Sequence, residues 1–174
     1  MEIIPELDAG PVYLQKSLPI VEEDNALILT EKLSVLGGDA LLEALQKIDQ
    51  EGLQAITQDV EAVTFSPKLT KEMGAIDWQN GSSEISNQIR GLNPWPTAKT
   101  ALNGDPVKIY ACKALEHKSK DKPGTITHIA QAGITIACGQ GSLLITEAQV
   151  AGKKRMNAFD LANGLRLEVG TRFE

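Results

Sequence analysis

The chain has 174 residues, of which 42% are hydrophobic, 23% charged and 4% aromatic, and its formal net charge is −6. This composition is typical of a soluble globular protein with one domain, or one small domain plus a further segment, and a mostly aliphatic core. No apolar run approaches the ~20 residues that cross a bilayer, and the acidic start lacks the basic residues of a signal peptide. We therefore expect no membrane partner and a cytoplasmic location.

The charge is unevenly distributed along the chain. Residues 1–63 hold 13 acidic and 3 basic side chains, a net of −10, whereas residues 64–174 hold 10 acidic and 14 basic, a net of +4. Because charges act mainly within a Debye length of about 8 Å, the basic part can attract a polyanion although the whole chain is acidic. A solvated basic surface without a partner is the alternative interpretation.

The sequence contains only two cysteines and two histidines. Cys112 and Cys138 are expected to be free, buried thiols in a reducing compartment. Neither a Cys-x-x-Cys nor a His-Glu-x-x-His pattern occurs, and no glycine loop suited to phosphate binding is present. No metal site is predicted.

Residues 1–62 predict short extended segments at 12–14 and 18–20, followed by one long helix. From Ala26 to Ile48, apolar residues recur in steps of three and four and so share one helical face. Gly37 and Gly38 interrupt this pattern and mark a close packing contact or a kink, and Gly52 is the expected end.

This first segment has too few elements to cover both faces of a parallel sheet. We expect it to be the end of a larger α/β domain, whose strands would lie upstream of Met1 or come from a separate chain. Packing of residues 1–60 against the rest of the chain is the alternative.

Residues 63–78 lack periodicity and are predicted to be a linker, followed by a short helix. Ser82 or Ser83 is the expected cap, with Glu84 in the first turn. The buried stripe is expected to consist of Ile85, Ile89 and Leu92. In the following Asn93-Pro94-Trp95-Pro96, each proline biases the preceding residue to extended backbone, so the helix should end near Leu92.

After Pro96 the pattern predicts five short strands, at 98–102, 107–112, 125–130, 134–138 and 143–148. Asn103-Gly104 is a strong signal for a two-residue hairpin turn. The segment 114–123, which contains Lys118, Lys120 and Lys122, is predicted to be a loop. Asn157 is expected to cap a last short helix that ends near Gly164. Several short strands at this spacing favour a small antiparallel barrel.

Three stretches together resemble one enzyme family. Residues Pro67–Trp78, Arg90–Pro96 and Gly152-Lys153-Lys154-Arg155-Met156 are similar to sequences of the methionyl-tRNA formyltransferases. The resemblance runs from about Leu7 to Arg172 and implies the C-terminal half of such an enzyme. The implied fold class is α+β: a remnant of a Rossmann-like α/β formyltransferase domain (1–62), a linker (63–78) and a small OB-like antiparallel β-barrel (79–174).

The family transfers a formyl group from 10-formyltetrahydrofolate to the amino group of methionyl-initiator tRNA. Leu7-Asp8-Ala9-Gly10 resembles the family's Leu-Asp-Thr-Gly motif, so the resemblance gives Asp8 a catalytic role. Taken alone, Asp8 is interpreted as an aspartate in a turn before glycine. The family's Asn-x-His-x-Ser-Leu-Leu-Pro motif does not occur in the chain, and His117 and His128 lie in other contexts. We therefore expect this chain to be inactive alone and to need the N-terminal half of such an enzyme, either encoded upstream of Met1 or supplied as a separate chain.

The resemblance assigns contacts with initiator methionyl-tRNA, and none with DNA, to six basic residues: Lys68, Lys71, Arg90, Lys153, Lys154 and Arg155. A solvated turn is the alternative at 153–155, and for Arg90 a structural role over Trp95 is favoured. Trp78 and Trp95 are expected to fill the junction between linker and barrel rather than to stack on bases.

Two other functions remain open from the sequence. One is a non-catalytic tRNA-binding module, and the other is a related protein that formylates a sugar nucleotide or hydrolyses formyl-folate. The basic turn at 153–155 favours tRNA over those small substrates.

Overall fold

The computed structural model describes residues 1–117 and 119–174, and the predicted Lys118 loop position lies outside the described residues. The chain divides into two compact units, Met1–Lys68 and Leu69–Glu174. The boundary falls inside the segment 63–78. Three α-helices and six strands make this an α+β protein, counted over the described residues.

The first unit is built around a single helix, α1 (Ala26–Glu51). The Asn25 side chain accepts a hydrogen bond from the Ile28 N–H, and Gly52 ends the helix in the left-handed conformation with φ 64°. The predicted helix and its end at Gly52 are therefore confirmed. Gly37 and Gly38 lie inside α1, and open space surrounds the positions that their Cβ atoms would take. The described residues thus provide no close packing contact at this pair.

The apolar face of α1 is only partly covered. None of its 26 residues is buried. On this face Leu33 and Leu45 are 48% and 56% exposed, whereas Leu29 and Leu36 are half-buried. Polar contacts do hold the helix: Glu43 pairs with Lys16 and Lys47, and hydrogen bonds from these two lysines lower the pKa of Glu43 to about 2. The apolar pattern of this helix therefore reflects a surface that the described residues cover only in part. No helix of the described part of the chain is both long enough and apolar enough to cross a membrane.

The second unit contains helix α2 (Ser82–Gly91) and an antiparallel sheet. The cap of α2 is Gly81, so the predicted serine cap is wrong. Ser82 is instead the first helical residue, and its hydroxyl donates to the Leu115 carbonyl, 3.3 Å away. The predicted apolar stripe is confirmed, because Ile85 and Ile89 are fully buried and Leu92 is 7% exposed.

The sheet has six strands and a final helix. The strands are β1 (Ala98–Leu102), β2 (Asp105–Leu115), β3 (Ile126–Ala130), β4 (Gly133–Ala137), β5 (Ser142–Val150) and β6 (Met156–Asn157), and the helix is α3 (Ala158–Leu165). Their order is β1-β2-β5-β4-β3, with β6 paired to β5. Asn103 and Gly104, with φ 52° and 83°, form the predicted hairpin turn between β1 and β2. The five predicted strands are confirmed, and the two-residue β6 was missed because it is too short to show a period.

The predicted barrel is not a closed sheet. Among the described residues, the edge strands β1 and β3 do not pair with each other. The C-terminal tail, residues 170–174, hydrogen-bonds near both edges instead. The Ile126 N–H donates to the Thr171 carbonyl (2.8 Å), and the Glu174 N–H donates to the Ala101 carbonyl (2.9 Å). Isolated bridges Leu102↔Phe173 and Thr125↔Arg172 accompany these bonds. The tail therefore spans an opening that the strands leave.

Trp78 anchors the start of the second unit in its core. Its ring is 4% exposed, and its indole N–H donates to the Thr100 Oγ1 over 3.0 Å. The Thr100 hydroxyl donates in turn to the Glu174 carbonyl, and the Phe173 ring lies 6.1 Å from the Trp78 ring. The predicted packing role is thus confirmed for Trp78. It is wrong for Trp95, which is 52% exposed.

Replacing Trp78 with Phe should lower the free energy of unfolding of the second unit by about 2 kcal/mol, because a buried hydrogen bond and part of a buried ring are lost. The matched variant Trp95→Phe changes an exposed ring and should cost less than about 0.5 kcal/mol. Urea unfolding followed by circular dichroism measures both. Equal losses in the two variants would contradict this assignment.

The two cysteines are free, as predicted; Cys138 is buried and Cys112 partly buried. Burial raises the pKa of Cys112 to about 11 and that of Cys138 to about 12. The thiol forms should therefore persist at pH 8, and both side chains should be unreactive in the folded protein.

With a disulfide reagent at pH 8, the folded protein should react about 100-fold more slowly than the protein in urea. Both pKa values are raised by folding, so their contribution to the free energy of unfolding is complete below the unfolded value near 9 and falls as the pH rises toward 11 and 12. Urea unfolding between pH 8 and 11 measures this loss. A Cys112→Ser/Cys138→Ala protein that loses as much stability with pH would refute the assignment.

Candidate functional site

The Asp8 turn holds its backbone firmly and presents its side chain to solvent. Asp8 has φ 55°, a left-handed value that Asp tolerates better than most residues. The Gln58 side-chain amide donates to the carbonyls of Asp8 (2.9 Å) and Gly10 (2.7 Å). A Cβ at the buried Gly10 would stand 1.8 Å from the Glu2 carbonyl oxygen, so this position requires glycine. The segment is thus fixed while the Asp8 residue itself is exposed.

Two neighbouring contacts complete the support of this turn. The Glu2 N–H donates to the Pro11 carbonyl over 2.8 Å, and Val12 and Ile56 exchange two backbone hydrogen bonds of 2.8 and 2.9 Å. The sequence did not predict that the Gln58 side chain supports this turn. Its signal in the sequence is weak, because it lies 48 to 50 residues from the carbonyls that it contacts.

The linker lysines belong to different units. Lys68 is the last residue of the first unit, and Lys71 stands at the start of the second, before a 3₁₀ turn at Glu72–Gly74. Both are exposed. The Lys71 turn packs closely on the loop after α2, since a Cβ at Gly74 would lie 2.5 Å from the Thr97 carbonyl oxygen.

Arg90 is half-buried at the end of α2 and is engaged by its own helix. Its Nη2 donates to the Asn87 Oδ1 over 2.8 Å, and its charge also acts on the Cys112 thiol, whose pKa it tends to lower. These contacts favour a structural role for Arg90.

The loop between α2 and β1 holds Trp95 at the surface. The Asn93 side-chain amide donates to the Tyr110 carbonyl (3.0 Å), and the Thr97 hydroxyl donates to the Pro94 carbonyl (2.8 Å). Thr97, 5% exposed with φ 72°, also donates its N–H to the Leu92 carbonyl. The loop is therefore well fastened, although the Trp95 ring is half in solvent.

The basic turn, residues 152–156, joins β5 to β6. Gly152 has φ 73°, and the Lys153 N–H donates to the Val150 carbonyl over 3.0 Å, as in a type II turn with glycine at its third position. The Gln149 side-chain amide donates to the Lys153 carbonyl (2.7 Å). Lys153 and Lys154 are both exposed on this fixed turn.

Arg155 is held differently from the two lysines beside it. Its guanidinium lies 4.5 Å from the centre of the Tyr110 ring and donates to the Glu147 carboxylate. The Tyr110 hydroxyl donates in turn to the Gln149 side-chain oxygen over 2.7 Å. Arg155 thus orders the base of the turn, whereas the two lysines carry its outward charge. Sequence reasoning missed Tyr110 and Glu147, which face Arg155 only because β2, β5 and β6 are neighbours.

A cleft lies between the basic turn and α3. It has a cavity volume of about 70 Å³, is open to solvent, and is lined by Val150, Lys153, Lys154, Met156, Leu161, Gly164 and Leu165. Its walls are apolar, and both lysines of the basic turn line it. The described residues contain no group of three or more His, Cys, Asp or Glu side chains arranged to hold a metal ion.

The histidines take the positions expected of them. His128 lies on β3 and is exposed, and His117 is exposed, with its carbonyl accepting a hydrogen bond from the Ser142 hydroxyl.

The sequence of this chain matches that of a known protein family. Residues 68–166 match the family described as formyl transferase, C-terminal domain. The chain belongs to this formyltransferase family. The matched range holds all six strands, α2, α3 and the basic turn, whereas Asp8 lies before it.

Curated relatives extend the similarity over nearly the whole chain. The formyltransferase chain is 41% identical over 172 residues to the methionyl-tRNA formyltransferase of Streptococcus pyogenes, covering 98% of this chain and 55% of that protein. It is 39% identical over 173 residues to the enzyme of the same name from Enterococcus faecalis, covering 99% of this chain and 55% of that one. The resemblance drawn from the sequence is thus confirmed. The chain spans about half the length of these relatives.

Solved structures share the fold. The structure of HypX from Aquifex aeolicus in complex with tetrahydrofolic acid has a TM-score of 0.67 at 20% identity, and covers 95% of this chain and 29% of that one. WlaRD, a sugar 3N-formyl transferase, has a TM-score of 0.62 at 20% identity, covering 87% of this chain and 53% of that one. At this identity the likeness concerns the fold alone.

Proposed function

We propose that this chain is the C-terminal half of a methionyl-tRNA formyltransferase. The observation that carries the proposal is the ~40% identity to proteins of that name over 98% of the chain. The reaction would move a formyl group from 10-formyltetrahydrofolate to the amino group of methionyl-initiator tRNA, in the cytoplasm. Residues 1–62 would end a Rossmann-like formyltransferase domain, 63–78 would link it onward, and 79–174 would form an OB-like barrel whose opening the C-terminal tail spans.

Asp8 has the proposed catalytic role of orienting a histidine supplied by the other half of the enzyme. The attacking amine nitrogen must lose a proton as it bonds to the formyl carbon, and the bond from that carbon to the donor nitrogen must break. A carboxylate that accepts the N–H of an imidazole leaves the opposite ring nitrogen ready to take this proton. The fixed backbone and exposed carboxylate of Asp8 suit a partner that approaches from outside the described residues.

This chain would supply little of the binding site for the formyl donor. Asp8 and its neighbours Leu7 and Ala9 are all exposed, and these three residues provide no enclosing walls for a folate. The donor would therefore be held mostly by the other half, and the residues of this chain are assigned no step with it beyond the support given by Asp8.

The second unit would hold the tRNA. Lys153 and Lys154 extend from a fixed turn, and phosphates would be neutralised there with release of counterions. Lys68 and Lys71 are proposed to add contacts from the linker. Arg155 would act mainly by shaping the turn, and Arg90 by shaping the end of α2, since both are engaged within the protein. A chain that binds tRNA without catalysis is the alternative that these basic residues also support.

The catalytic proposal can be tested in a chimera in which this chain replaces the matching part of the Streptococcus pyogenes relative. The chimera should form formylmethionyl-tRNA, and Asp8→Asn should slow it by about 100-fold or more, because the neutral amide cannot support the imidazole as a carboxylate does. Formation of formylmethionyl-tRNA is the measurement.

Asp59→Asn is the matched control, since Asp59 is an exposed carboxylate of the same unit that only caps a 3₁₀ turn. Equal activity of the two variants would remove Asp8 from the mechanism. If the activity of the chimera did not depend on residues 1–62 of this chain, the assignment of these residues to the formyltransferase domain would be overturned.

The tRNA proposal predicts a change in salt dependence. In the full 174-residue chain, Lys153→Ala/Lys154→Ala should weaken binding of initiator tRNA and reduce the slope of log K against log salt by about two, one for each lost phosphate contact. Fluorescence anisotropy between 50 and 200 mM salt measures it.

Lys120→Ala/Lys122→Ala removes the same charge from another exposed loop of the second unit and is the control. If that control lowers the slope as much as the Lys153/Lys154 variant does, net charge rather than the basic turn is responsible.

A further inference from the structure

The cleft beside the basic turn has two features that together match one kind of ligand. Its floor consists of the apolar side chains of Val150, Met156, Leu161 and Leu165, and its rim carries Lys153 and Lys154. A nucleotide has the complementary parts: an apolar ring face that would contact the floor and an anionic phosphate that would contact the lysines. Its cavity volume of about 70 Å³ is far below that of an enclosed small-molecule site, so the cleft would take one face of a single ring rather than surround a ligand.

We propose that this cleft binds one unpaired base of the RNA strand whose phosphates contact Lys153 and Lys154. The proposal rests on the proposed tRNA substrate and names a subsite for it. Val150 and Leu161 are 8% and 3% exposed, so they form a firm floor, whereas Met156 and Leu165 are partly buried and stand at the sides. The Met156 thioether is polarisable and suits contact with an aromatic ring.

The cleft would accept any base. Apart from the two lysines, its lining side chains are apolar or absent, so nothing among them pairs with the edge of a base. Binding through ring faces tolerates any sequence, because every base has such a face. The subsite thus distinguishes an unpaired base from a paired one, since a base inside a duplex has no free face to offer.

Gly164 allows the cleft to be filled without disturbing the fold. It lies in α3, and nothing stands within 4 Å of the position that its Cβ would take. Glycine is also a poor helix former, so a side chain at this position should not lower the stability of α3. Gly164→Leu would project into the cleft and leave both lysines in place, whereas Gly164→Ala is a matched control that leaves most of the space open.

The experiment measures binding of initiator tRNA, a single-stranded RNA and a blunt RNA duplex to the full chain, by anisotropy. Relative to Gly164→Ala, Gly164→Leu should weaken binding of the tRNA and the single strand about tenfold, leave the salt slope unchanged and leave duplex binding unaffected. Thermal unfolding checks that both variants are folded. In a protein with ¹³C-labelled methionine methyl groups, adenosine monophosphate should shift the Met156 signal but not the Met73 signal.

The outcomes separate the two proposals. If the unsubstituted chain binds none of the three RNAs, the proposed tRNA function fails. If it binds tRNA but Gly164→Leu equals Gly164→Ala, the base subsite alone is overturned. An equal loss for the duplex, or no Met156 shift with the mononucleotide, would also overturn the subsite.

Discussion

The second unit depends on one hydrogen-bonded chain, from the Trp78 indole through the Thr100 hydroxyl to the Glu174 carbonyl. It joins three segments: the residues that precede α2, the first strand and the C-terminal tail. Since each group is satisfied by the next, polar atoms can be buried here without the cost of lost solvation. The tail is thereby held where its backbone can bond near both edges of the sheet, which would otherwise present unpaired donors and acceptors.

This anchoring explains how a small sheet supports a fixed basic turn. The β5–β6 connection has its glycine at the position that needs a left-handed residue, and Arg155 fastens it by contacting both Tyr110 and Glu147. A guanidinium satisfied by a carboxylate and an aromatic face is suited to holding strands together, whereas flexible lysine ammonium groups remain available at the surface. The three adjacent basic residues therefore have two roles: Arg155 holds the turn, and Lys153 and Lys154 present their charge at the surface.

The first unit presents the opposite situation. Its helix is well capped, yet no residue of it is buried, and the backbone of the Asp8 turn is hydrogen-bonded while the Asp8 residue is exposed. An amphipathic helix gains most of its stability from packing of its apolar face. Both features support the proposal that this unit is the end of a larger formyltransferase domain.

The sequence by itself determined the local elements and the family. The periodicity of α1, the Asn103-Gly104 turn, the stripe of α2 and the motifs around Trp78, Trp95 and the basic turn all depend on neighbouring residues, so they can be recognised from the chain alone. Tertiary structure decided the rest: the open sheet with its tail, the burial of Trp78 but not Trp95, the engagement of Arg155, and the cleft beside α3. These depend on which strands become neighbours, and residues as far apart as Thr100 and Glu174 meet only when the sheet has formed.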